Sequence, residues 1–272
     1  MTRSSRACRA CLAALLVAGV ARAQTRPVPE LADYAVLGVG DVTIRAESRV
    51  ASGAVGSVGG TVRLGRQARV ANVVAAPTVR LGPKAHGGTV FCHFVNGPPT
   101  LPTCNAFVDP LVDPALLAPV AVAPGASDLR LPPHTGTAPV PAGSFRDVTV
   151  GRGSVLQLYG GTYAMASLHV RRHGRVVCAT ECRIGVLGTV AVGPEAALGA
   201  LAPLRSNLVR IDVAGTGPLP VFVARARADV SATVFAPAGD VIIGPLGSYR
   251  GAVVGRTVVV GPGATVRADS AL

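Results

Sequence analysis

The feature that most constrains this chain is a short unit that recurs from residue 42 to residue 266. It reads apolar–any–apolar, usually glycine, two loose positions, a small residue, any residue, then an apolar one. Val62-Arg63-Leu64-Gly65-Arg66-Gln67-Ala68-Arg69-Val70 is its clearest copy, and Val79-Arg80-Leu81-Gly82-Pro83-Lys84-Ala85 follows it closely. Val241-Ile242-Ile243-Gly244-Pro245 and Val258-Val259-Val260-Gly261-Pro262-Gly263-Ala264-Thr265-Val266 repeat it near the end. The first and third side chains of each copy point one way and the middle one points out. Glycine or proline then turns a corner, and the small residue fits where the next side begins. One such unit cannot shield its own apolar layer, so the copies must stack. The expected fold is all-β: a single-stranded parallel β-helix with a Pro-rich loop insertion.

Residues 1–23 read as a secretory signal peptide, with Arg3, Arg6 and Arg9 before the apolar Leu12–Val20 run and Ala21-Arg22-Ala23 as a cleavage site. A membrane anchor is the alternative, but the run is about half what a bilayer span needs. Residues 24–33 form a lead-in linker, 34–92 the N-terminal coils and 146–272 the C-terminal coils. Residues 93–145 form an excursion, because eleven of the 22 prolines fall within 97–143 and proline cannot donate within a sheet. Phe107, Leu111, Leu116 and Leu117 are expected to pack that excursion on the solenoid. Tyr34-Ala35-Val36-Leu37 is expected to cover one solenoid end, leaving the last coil with only Arg267 to Leu272 beyond it.

The Thr61–Gly65 and Thr78–Pro83 coils are similar to those of bactofilin-like, polymer-forming bacterial β-helix proteins. Gly160-Gly161-Thr162-Tyr163, Ala232–Pro237 with Gly239-Asp240-Val241, Gly251–Arg256 and the closing Val266–Leu272 resemble exported β-helix domains attached to some pilus-assembly proteins. The resemblance implies a parallel β-helix and self-assembly, with no catalytic residues to carry over. An export signal and the Pro-rich excursion set this chain apart from bactofilins.

The formal charge is +12, and removing the four leader arginines Arg3, Arg6, Arg9 and Arg22 leaves +8. Such a balance attracts acidic polymers, although arginine can equally serve as a solvated face. Arg63 and Arg80 occupy equivalent outward positions, and Arg49, Arg69 and His86 share another. Like charges stacked in a sheet invite an anion, so Arg49, Arg63, Arg69 and Arg80 are the candidate polyanion-binding residues.

After the leader, four cysteines remain, and an exported protein is expected to oxidise them. The local pairs Cys92–Cys104 and Cys178–Cys182 are the expected disulfides; a zinc site is the alternative, with unsuitable spacing. His169 and His173 are expected to face solvent rather than hold a metal, and Asp109 and Asp113 to serve turns or face solvent. No nucleophile or metalloprotease signature occurs, and no cofactor is expected. The chain has no Trp, which argues against a sugar-cleaving enzyme, and its outward positions are too mixed for ice binding. Three classes remain: an exported non-catalytic structural or surface-assembly protein, a polyanion-binding surface module, and a polysaccharide-active enzyme. The expected partners are a second copy through the coil ends, and an acidic polysaccharide or cell-surface component. Neither nucleic acid nor a membrane span in the mature chain is expected.

Overall fold

The computed structural model describes residues 31–98, 102–217 and 219–269 and shows a parallel β-solenoid of about 12 turns. The expected leader and residues 24–30 lie outside the described residues. Each coil has three sides. Val42–Ile44 forms a first side, Arg49–Ser52 a second and Ala54–Ser57 a third, before Thr61–Leu64 opens the next coil. Neighbouring coils pair in parallel, Val42 beside Val62 and Ile44 beside Leu64. Val42, Ile44, Val50, Val55 and Val62 are fully buried, and each such side chain contributes about 1.5–3 kcal/mol relative to exposure.

The corner between the first and second sides explains the repeat's glycine and small residue. The amide of Ala68 donates to the carbonyl of Gly65 at 3.1 Å, and the residue before it, Gln67, has φ 58°. Glu47, Lys84, His134, His173, Glu195, Arg227 and Leu246 hold the same left-handed conformation in their own coils. That conformation is costly for a residue with a Cβ. It is held here because the amide bonds across coils, Gln67 to Pro83 at 3.0 Å and Glu195 to Ala226 at 3.1 Å.

The coils are not stacked in the order of the sequence. Val258–Val260 pairs on one edge with Val241–Ile243 and on the other with Val42–Ile44. Val253–Gly255 likewise pairs with Tyr34–Gly38, and Thr265–Arg267 with Arg49–Ser52. The solenoid therefore begins at Leu129, runs to Arg267, continues into Tyr34 and finishes at Asn96. This corrects the expectation that Tyr34–Leu37 and the last coil close the two ends. Tyr34 to Leu37 are at most 1% exposed and Val266 is fully buried, because each coil offers the other an open ladder edge and an apolar layer.

The excursion is shorter than its proline content suggests. Phe94–Asn96, Leu129–Leu131, Thr137–Val140 and the start of Gly143–Val150 are solenoid strands, so the coils resume at Leu129 rather than 146. Pro139 is tolerated within Thr137–Val140 because that strand pairs only with Val155–Leu158, at the edge of its sheet. Residues 102–128 form a strap that runs back along the third side from one end towards the other. Asn105 bridges to Phe91, and His93 meets Phe107 edge-on at 5.0 Å. Leu111 and Val112 then pack with Tyr34, Leu37, Phe235 and Val254, and Gly125 donates to Phe145 at 3.0 Å. Phe107 and Leu117 pack as expected, but Leu116 is 55% exposed. The outward column beneath the strap runs Gly185, Asp212, Phe235, Val254, Leu37, Gly56, Ala75. It is small or apolar throughout except at Asp212.

Candidate functional surfaces

The first side presents one outward row along the solenoid: Arg130, Thr149, His169, Ala191, Val223, Ile242, Val259, Thr43, Arg63, Arg80. It is basic at both ends and apolar in the middle. Arg63 does lie beside Arg80, and together with Arg45 they border a shallow groove of about 520 Å³. Arg63 reaches Asp41 at 3.5 Å, so part of that charge is balanced.

Arg49 lies beside Arg69, which bridges to His86, around a separate groove of about 410 Å³. These residues belong to the second side of the coil. The four candidate arginines therefore form two surfaces and not one.

A further set of cations does not follow from outward alternation, because it sits on corners. Arg152, Arg171 and Arg225 are exposed where other coils turn with glycine or proline. The sequence signal is the substitution itself: Val170-Arg171-Arg172 and Ala224-Arg225 stand where Val192-Gly193-Pro194 and Ile243-Gly244-Pro245 stand elsewhere.

Cys92 and Cys104 are bonded, with Cα atoms 5.2 Å apart, and the link ties the start of the strap to the end coil. The second expected disulfide is a correction: Cys178 and Cys182 are free thiols, both buried. They flank a tight turn between Arg175–Cys178 and Cys182–Val186, and each completes the apolar layer of its strand. Their mutual hydrogen bond, reinforced by burial, pushes the Cys178 thiol up, and the same bond holds Cys182 down.

Asp212, 1% exposed, accepts from Arg183 Nε at 2.9 Å and Arg210 Nε at 2.7 Å. Arg210 also lies over the Phe235 ring at 4.9 Å. A carboxylate beneath the strap is thus paired twice, as a buried charge requires. Asp113 caps a short turn by accepting from Ala115 at 2.9 Å, and Asp109 is exposed. His173 Nε2 is 3.1 Å from Glu195 in the neighbouring coil, a partner invisible to local spacing. Among the described residues, no three His, Cys, Asp or Glu side chains are placed to hold a metal.

The chain matches no family model, no curated protein and no solved structure. The parallel β-solenoid is shown by the structure alone, and the bactofilin-like and pilus-associated resemblances gain no support from the comparisons.

Proposed function

We propose that this protein is an exported, non-catalytic structural rod that works as a self-contained unit and meets its surroundings through its sides. The observation that carries the reading is the position of the seam: the first and last coils of the chain close on each other in mid-rod. Their open edges are used up internally. The coil at one end carries Pro139 within its second-side strand and Pro132, Pro133 and Pro141 beside its strands, and proline lacks the amide donor that a stacking partner would use at those positions. The other end is tied to the strap by Cys92–Cys104. A disulfide also suits an oxidising, exported location, and no helix among the described residues is long and apolar enough to cross a membrane.

End-to-end polymerisation of the bactofilin kind is therefore not part of the proposal. Light scattering across a concentration series and electron microscopy test it together. Monomers shaped as rods about 55–60 Å long, from about 4.8 Å per coil, are expected. Filaments or concentration-dependent oligomers overturn the reading.

A further inference from the structure

We infer that the groove around Arg152, Arg171 and Arg225 is a binding site for a linear acidic polysaccharide lying along the rod. The groove is about 930 Å³ and runs past the corners of successive coils. Those three arginines are exposed and have no acidic partner among the described residues. Arg172 and Arg130 border the same groove with their charges balanced by Glu195 at 3.2 Å and Asp128 at 3.1 Å. The unbalanced cations are thus corner residues of three different coils.

Their spacing argues for a chain rather than a single ion. Arg171 follows Arg152 by one coil, because its amide bonds to the Val150 carbonyl at 2.9 Å. Gly193 then bonds to Val170 and Arg225 to Val192, so Arg225 lies two coils beyond Arg171. At about 4.8 Å per coil the three guanidinium groups spread over about 14 Å. No one carboxylate or sulfate reaches all of them. Regularly spaced anions on a stiff chain do, each meeting a guanidinium fork. Gly151 and Gly193 carry no side chain into the space between, and Pro132, Pro133, Val170 and Ala191 give the groove an apolar lining suited to the carbon faces of sugar rings.

Nucleic acid is the less suitable polyanion, since the groove is lined by no Phe, Tyr or Trp on which bases could stack. A flexible acidic peptide would have to be ordered on binding.

The test measures binding of the purified protein to polygalacturonate and to heparin at low salt, with single-stranded oligothymidylate as the comparison. Expected are binding to either glycan that weakens as salt rises, and at least tenfold weaker binding by Arg152→Ala/Arg171→Ala/Arg225→Ala. Arg45→Ala/Arg63→Ala/Arg80→Ala removes the same charge from the other groove and is expected to change affinity less than twofold. Replacing Arg152, Arg171 and Arg225 by Lys is expected to restore only part of the affinity. Equal losses in the two Ala variants, no glycan binding, or oligothymidylate binding as tight as the glycans each overturn the inference. Light scattering on the same samples reports the rod separately, so a failed site does not count against the monomeric rod.

Discussion

Leu37 lies directly beside Val254, and the two belong to one buried cluster with Leu111 and Val112 of the strap. The strap is therefore a clamp across the seam as well as a connection between ends. Its apolar residues sit where the chain itself does not join the coils.

Leu111→Ala is accordingly expected to destabilise the protein by about 2–3 kcal/mol, the lower range for loss of a buried leucine side chain. Leu116→Ala, on the exposed side of the same strap, is expected to cost less than about 0.5 kcal/mol. Urea unfolding of both variants checks the contrast. Equal effects would mean that the strap is not clamped at Leu111.

Leu246 combines a left-handed backbone, φ 56°, with 57% exposure. Glycine adopts that conformation without the Cβ penalty, and little packing is lost with the side chain. Leu246→Gly is expected to raise stability by about 0.5–1 kcal/mol in thermal unfolding. A destabilised variant would place the corner in a different conformation.

Asp128 accepts from Arg146 Nε at 2.7 Å, and that hydrogen bond holds its carboxyl at about 2. The folded value lies below the ordinary value of about 3.9, so the stabilising contribution is complete above about pH 4. It is lost as pH falls towards about 2. Carboxyl NMR is expected to show the low midpoint in the native protein and a return towards 4 in Arg146→Ala. An unchanged midpoint in the variant would remove Arg146 as the cause.

The coil was legible in the sequence because burial acts on every repeat alike: Val62 and Leu64 go in, Arg63 goes out, and Gly65 turns the corner. The order of coils was not legible, since Val62 and Val258 open near-identical units and either could stack beside Val42, as both in fact do on its two edges. Proline hid the coil at Leu129 to Val140, although an edge strand accepts Pro139. The strap left a readable trace in the column Gly185, Phe235, Val254, Leu37, Ala75, where outward residues are small or apolar because they are covered. Corner arginines escaped notice because the alternation that marks outward strand positions does not extend to turns.

The coil order is the centre of this account, and one cross-link tests it. Thr43 and Val259 are paired outward residues on adjacent strands, whose spacing of about 4.8 Å suits a disulfide. In Thr43→Cys/Val259→Cys, oxidation followed by peptide mapping is expected to find an intramolecular 43–259 link in the monomer. Its absence under conditions that form Cys92–Cys104, or a link only between two molecules, would contradict a solenoid in which the last coil of the chain stacks on the first.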